Sequence, residues 1–405
     1  MRPALVSLVC FLGAAGCSSH GVSTAPNTLA ITANSGPPGV GYINGLFTSV
    51  TVCAPGTSRC QRIDYALVDT GSVGLRILSA SAGGGLSIAL PLETDPAGDA
   101  LAECAGFIDG YTWGPLRVAD VTMGSELARS VPVQVIGDPA FAEVPASCSA
   151  TGGVGQDSIE TVRTFAILGV GPAPQDCGFA CAESVTAADT ENPGNVYYAC
   201  SPGACVPAAV PLGAQVQNPV SLLPVDNNGV MVRLPSVAQG GEASVGGSLV
   251  FGIGTQANNA LGSATVLALD PDTLTLPTTF RGKSYAMSFI DSGSNAIYFL
   301  DSSATSLPAC PGGLEDFDCP ATPGTVAFRA TIEGGNGVSS SVSFAVANAE
   351  ALFTDETNAC FADLAGPGAG SDYFDWGLPF FYGRGVFYAI EGASVEGGQT
   401  PFVAY

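Results

Sequence analysis

The sequence predicts a mainly β protein built in two equivalent halves, and three observations carry that expectation. The first is a repeated segment. Ala66-Leu67-Val68-Asp69-Thr70-Gly71-Ser72-Val73-Gly74-Leu75 returns 222 positions later as Ser288-Phe289-Ile290-Asp291-Ser292-Gly293-Ser294-Asn295-Ala296-Ile297. Each copy is an apolar run, an acidic turn and a second apolar run, which reads as strand, tight turn, strand. The second is composition: 53 Gly and 29 Pro with a single lysine, Lys283, argue for short strands joined by turns and against long amphipathic helices. The third is size, since 405 residues of which 46% are apolar can bury a large core and suggest two domains or one bilobal unit.

One Asp-Thr-Gly-Ser alone would be an ordinary turn, because Asp, Ser, Thr and Gly are the residues that make turns. Two copies in matched apolar contexts read instead as two halves of one site. Carboxylates held close together cannot both ionise easily, so such a pair shares a proton around a trapped water. Glycine permits close approach at the bend, and the neighbouring hydroxyls can orient the carboxylates. On these residues the chain resembles the pepsin-like aspartic peptidases. The resemblance implies a bilobal β-barrel fold with a central cleft to which each lobe gives one Asp. It implies peptide hydrolysis by water activated between Asp69 and Asp291, supported by Thr70, Gly71, Ser72, Ser292, Gly293 and Ser294. Neither a metal nor another cofactor is implied, and the substrate would be a peptide or protein. As a whole the chain also resembles an uncharacterised family of bacterial lipoproteins.

Met1-Arg2, an apolar run to Gly16 and the box Ala14-Ala15-Gly16-Cys17 read as a lipoprotein export signal over 1–17, with Cys17 lipidated. An ordinary secretory signal cut nearby is the alternative. Ser18 suits outer-membrane sorting, so the expectation is a cell-envelope, outer-membrane lipoprotein, or a secreted protein, held to the membrane only by its anchor. No later apolar run is long enough to span a bilayer without polar interruption. Residues 18–39 are small and polar and read as a tether. A monomer is expected.

The N-terminal lobe is expected over 40–245. Asn44 to Val52 alternates like a strand, and Ile63 to Val68 runs into the first Asp turn, with Cys53 and Cys60 closing the loop between as a disulfide. Leu101 to Val118 reads as a hairpin with Asp109-Gly110 as its turn pair. By resemblance this is the peptidase flap, formed by Phe107, Asp109, Gly110 and Tyr111. The family's flap tyrosine then falls on Phe107, while Tyr111 lies just past the turn; an ordinary hairpin with aromatic packing is the alternative. Cys104 and Cys148 are expected to pair across this region. Thr164 to Gly171 is an apolar run ending in glycine, of the kind that packs against the Asp loop in pepsin-like lobes. The Cys-, Pro- and Gly-rich stretch 172–208 reads as an insertion in which Cys177, Cys181, Cys200 and Cys205 form two disulfides among themselves.

The C-terminal lobe is expected over 246–405. Cys310 and Cys319 bracket a small disulfide loop, which leaves Cys360 odd. Trp376-Gly377 can play the second apolar-glycine strand, although the family's usual Gly-Asp is here Gly377-Leu378.

Charge and histidine content exclude most other chemistry. Only 12 Lys plus Arg stand against 35 Asp plus Glu, a net charge of −23, so nucleic acid is not an expected partner. The one histidine, His20, lies in the tether, which leaves no imidazole for a Ser-His-Asp triad or for His-based zinc catalysis. Gly83-Gly84-Gly85 lacks the following Lys-Ser/Thr of a phosphate loop. Carboxylates remain. The rival expectations are a catalytically silent surface module that binds a peptide or glycan in the same cleft, and an envelope structural protein.

Overall fold

The computed structural model describes residues 25–150, 152–183, 196–321, 324–368, 373–396 and 398–405. The export signal, Cys17 and residues 18–24 of the expected tether lie outside the described residues, whereas Thr28–Asn34, expected to belong to the tether, is a strand with Leu29, Ile31 and Ala33 in the core. Strands dominate, and their burial follows the side-chain alternation of a pleated sheet. In Thr28–Asn34 the residues Leu29, Ile31 and Ala33 are buried while those between are not. Two strands depart from alternation: Val73–Leu78 and Ala166–Val170 are buried at every position. They lie in the interior of the first lobe, covered on both faces; Ala166–Val170 accordingly reads as an unbroken apolar run, and Val73–Leu78 is interrupted only by the buried Arg76.

The two halves repeat one pairing pattern. In the first, Cys60–Asp69 runs parallel to Ala166–Val170, which is antiparallel to Val73–Leu78, which is parallel to Glu126–Ile136. In the second, Lys283–Ile290 runs parallel to Asp375–Trp376, which is antiparallel to Ile297–Phe299, which is parallel to Ala365–Pro367. Each Asp turn thus emerges beside the same three neighbours. The result is a mainly β, bilobal pepsin-like fold of two barrel-like sheets, one of 16 strands and one of seven.

The larger sheet extends past the first lobe into a platform that joins the halves. Its order runs from Thr28–Asn34 through Val245–Phe251, Gly229–Arg233, Gly385–Ala389 and Phe402–Ala404 to Val266–Ala268. The segment at the expected lobe boundary, Val245–Phe251, is an inner strand of this platform. A second link is Asn44, buried with φ 51°, whose side chain donates to the carbonyls of Asn295 and Phe361 and accepts from the Phe361 amide and the Tyr382 hydroxyl. Below the second Asp turn Phe280, Phe299, Phe328, Phe344, Phe374 and Trp376 form an aromatic core with edge, tilted and stacked contacts.

The Cys-rich stretch adds to the sheet. Val196–Ser201 and Ala204–Pro207 form a hairpin laid on Ala100–Phe107, with Tyr197 opposite Glu103 and Cys200 opposite Ala100. Among the described residues five disulfides are formed: Cys53–Cys60, Cys104–Cys148, Cys177–Cys181, Cys200–Cys205 and Cys310–Cys319. Cys360 is free and buried. Beneath Ala100–Phe107, Arg76 is buried in ion pairs with Glu103 at 2.7 Å and Asp176 at 2.9 Å, and the Tyr197 hydroxyl donates to Asp176. That network ties the added hairpin to the strand leaving the first Asp turn. Among the described residues no helix is long and apolar enough to cross a membrane.

Candidate active site

Asp69 is the last residue of Cys60–Asp69, and Asp291 immediately follows Lys283–Ile290. The strands aim the two turns at each other, and the residues that directly follow the acids, Thr70 and Ser292, make four hydrogen bonds across the junction. The Thr70 amide donates to Ser292 Oγ at 3.2 Å and the Ser292 amide donates to Thr70 Oγ1 at 2.9 Å. The Ser292 hydroxyl then donates to the Val68 carbonyl at 2.7 Å, and the Thr70 hydroxyl to the Ile290 carbonyl at 3.4 Å. The pattern is reciprocal, as an approximate two-fold axis requires. It also separates the hydroxyls expected around the carboxylates into two roles. Thr70 and Ser292 hold the opposite turn's backbone, because the residue directly after each Asp points across the junction. Ser72 and Ser294, two positions further on, turn back onto the acids.

The acids themselves are brought together. The Gly71 amide donates to Asp69 Oδ1 at 2.8 Å and to Asp291 Oδ1 at 3.0 Å, so a single N–H bridges both carboxylates. Gly293 donates to Asp291 Oδ1 at 2.7 Å. On the outer oxygens the Ser72 hydroxyl donates to Asp69 Oδ2, and the Ser294 hydroxyl to Asp291 Oδ2 at 2.8 Å. Glycine is required at both turns by this approach: a Cβ on Gly71 would stand 2.6 Å from Asp291 Cγ, and one on Gly293 2.6 Å from Asp69 Oδ1. Neither glycine has a positive φ, so the demand is for space next to the opposing acid. The apolar-glycine strands complete the turns in the same way, with no room for a Cβ at Gly169 against the Val73 backbone or at Gly377 against the Ala296 carbonyl.

Asp69 and Asp291 are 6% and 8% exposed, while Gly71 above them is open to solvent. Burial pushes the Asp291 carboxyl well above the usual carboxylate range, and the nearby Asp69 and then Asp375 push it further. A buried acid pair with one member driven to hold its proton can act as base and acid at once. Among the described residues no group of three His, Cys, Asp or Glu is arranged to hold a metal ion. A cavity of ≈ 300 Å³ lined by Val237, Phe344, Trp376, Phe380 and Arg384 lies behind the second turn and includes neither acid.

The hairpin of Ala100–Phe107 and Gly110–Met123 differs in detail from expectation. Phe107 pairs with Gly110, so the turn residues are Ile108 and Asp109, and Gly110 already belongs to the returning strand. The Asp109-Gly110 turn pair is therefore corrected by one position. Gly110 is needed for another reason, because a Cβ there would meet the Val154 carbonyl at 2.1 Å. The Phe107 ring packs beside Leu78, Ile136 and Ile167, with the Arg76 guanidinium 5.8 Å from its centroid. Tyr111 stands next to Gly155, and among the described residues it makes no hydrogen bond to either acid. From the tip, the Asp109 charge reaches Tyr42 and, across the junction, Tyr298.

Three groups near the acids were not singled out in the sequence. Tyr42 lies within electrostatic reach of both, under the Arg163 guanidinium, and Tyr388 donates to the Ile290 carbonyl at 2.9 Å. The third is Asp375, 1% exposed. Its signal was present as an acidic residue inside the apolar run Phe374-Asp375-Trp376-Gly377.

A sequence model for the family described as "Protein of unknown function (DUF3443)" matches residues 23–405. The crystal structure of the aspartic proteinase from Irpex lacteus is similar to this fold with a TM-score of 0.51 at 15% sequence identity, over 93% of this chain and 96% of that one. No curated protein matches the sequence at a significant level.

Proposed function

The chain belongs to the DUF3443 family, and we propose that it is an aspartic-type endopeptidase, exported and anchored in the cell envelope through Cys17. The observation that carries this is the Gly71 amide shared by Asp69 and Asp291, with matched serines on the outer oxygens. Bringing two carboxylates together under burial is unfavourable unless a proton between them is used, and a protein that only binds has no need of it.

In the reaction Asp291 starts with the proton and Asp69 without. A water between them gives a proton to Asp69 as its oxygen bonds to the peptide carbonyl carbon, and Asp291 gives its proton to the carbonyl oxygen. The product is a tetrahedral diol. On collapse one diol hydroxyl returns a proton to Asp291 while the C–N bond breaks and the leaving nitrogen takes the proton held by Asp69. Carboxylic acid and amine leave, and the starting protonation state is restored. The Gly71, Gly293, Ser72 and Ser294 donors hold the carboxylates through these exchanges.

A second possibility, a surface module that binds a peptide or glycan without cutting it, is favoured by one observation. Phe107 is turned into the lobe, so the flap brings no hydroxyl from that position. Incubating the full chain with a mixed peptide library from pH 3 to 7, with and without a pepstatin-type inhibitor, separates the two. Inhibitor-sensitive cleavage supports the peptidase; retention of peptides without cleavage supports the binding module.

A further inference from the structure

The two lobes differ at one buried position beside the acids. In the first, Ile167 pairs with Leu67 on the strand that ends in Asp69; in the second, Asp375 occupies the equivalent place opposite Phe289. An apolar residue has been replaced by a carboxyl that is 1% exposed and whose Oδ1 has no hydrogen-bond partner among the described residues. An ionised carboxylate in such a place would be costly, since burial penalises the charge and no donor repays it.

Ser294 lies close enough to Asp375 for its hydroxyl to act on that carboxyl. Ser294 also donates to Asp291 Oδ2 at 2.8 Å. A serine hydroxyl has a single hydrogen. If that hydrogen is on Asp291, the contact with Asp375 requires a hydrogen carried by Asp375. The reverse assignment is disfavoured by donor count. Asp291 already accepts from the Gly71 and Gly293 amides and is built as an acceptor, whereas no donor reaches Asp375 Oδ1 among the described residues.

We propose that Asp375 is a protonated positioning residue that donates to Ser294 Oγ, so that Ser294 in turn must donate to Asp291 and holds its outer oxygen. The chain of donors runs in one direction, from Asp375 through Ser294 to Asp291. In the first lobe it stops at Ser72, because the position equivalent to Asp375 is the apolar Ile167, so the two acids are made inequivalent. The inference rests on the peptidase reading for its consequence in catalysis, and on the buried, unpartnered oxygen of Asp375 for the protonated carboxyl. Burial pushes Asp375 up to about 8, which agrees with it. The titratable groups around it are Asp69 and Asp291 from the two turns, Tyr298 from Ile297–Phe299 and Tyr388 from Gly385–Ala389.

The test uses the full chain with Asp375→Asn, which keeps an N–H to offer Ser294, and Asp375→Leu, which keeps the shape and offers nothing. Infrared difference spectra at pH 6 read protonation without any need for activity. Wild type minus D375N should show the band of a neutral buried carboxyl, and the band from the proton shared by Asp69 and Asp291 should move in D375L but not in D375N. Carboxylate bands in the first difference, or the same response in both variants, would overturn the proposal. Kinetics give a second reading: D375L should lose about 100-fold in kcat with little change in KM, and D375N should restore most of it. Equal loss in both variants also overturns it. A wild type that cuts no peptide at all defeats the peptidase reading, and the infrared comparison still decides the role of Asp375.

Discussion

Gly71→Ala should disable the site while leaving the lobes folded, because the added methyl has only one place to go. Its Cβ would lie 2.6 Å from Asp291 Cγ and 2.8 Å from each of that carboxylate's oxygens. Non-bonded carbon atoms rest at about 3.5–4.0 Å, so the acids must separate by about 1 Å. The Gly71 amide, which now serves both, would lose one of its acceptors. Misplacement of that size in a catalytic constellation is worth about 100-fold in rate. Overpacking adds roughly 1–3 kcal/mol of destabilisation. Backbone strain does not confuse the result, since Gly71 has no positive φ. Gly213→Ala is the control: nothing lies within 4 Å of its Cβ position, its φ is ordinary, and it should leave rate and stability near wild type. Peptide cleavage at acid pH and denaturant unfolding measure both effects. A G71A protein that cuts within threefold of wild type would mean that the acids do not depend on this close approach.

Further outcomes follow from buried charge and covalent ties. Arg76→Met should destabilise by about 3–5 kcal/mol, since it leaves Glu103 and Asp176 buried without their cation; an unchanged unfolding midpoint would contradict the network. Asp318 is 2% exposed with Oδ2 unpartnered, and burial pushes it up to about 7. With the folded value raised, its contribution is full below about pH 4 and lost as pH rises towards 7. Asp318→Asn should therefore match wild type near pH 3 and exceed it by up to about 4 kcal/mol at pH 7.5. Equal stabilities at both pH values would refute the assignment. Breaking Cys104–Cys148, which spans 44 residues and ties the flap strand to the turn at Ala146–Ser149, should cost about 2–5 kcal/mol in unfolding measurements.

The fold class and the acid pair were legible because their signals are local and occur twice. An apolar run, an Asp turn and another apolar run fix strand, bend and strand without knowledge of partners, and the second copy implied a shared site. What was not legible depends on register across distant segments. Asp375 is one acidic residue in an apolar run, and only its pairing with Phe289 and Tyr298 places it behind Ser294. The separate roles of Thr70 and Ser72 follow from which of the two points across the junction, and the motif does not say. Val196–Ser201 was read as part of a stapled loop because cysteines, prolines and glycines surround it, yet it finds an open edge at Ala100–Phe107. The flap turn moved by one residue for a similar reason: Asp109-Gly110 suits a hairpin, but the approach of Val154 already accounts for the glycine.

The measurement closest to the central claim is the pH profile of peptide cleavage by wild type, Asp69→Asn, Asp291→Asn and the double variant. Asn keeps the shape and much of the hydrogen bonding but cannot exchange the proton. The wild type should cut on the acid side and fade as both acids ionise, with the elevated Asp291 carrying activity further towards neutral than an isolated carboxyl would. Each single variant should lose cleavage while still folding, and the double variant should be little worse, because the two groups act as one unit. Equal cleavage at pH 8, or Asn variants that keep the wild-type rate, would contradict the account.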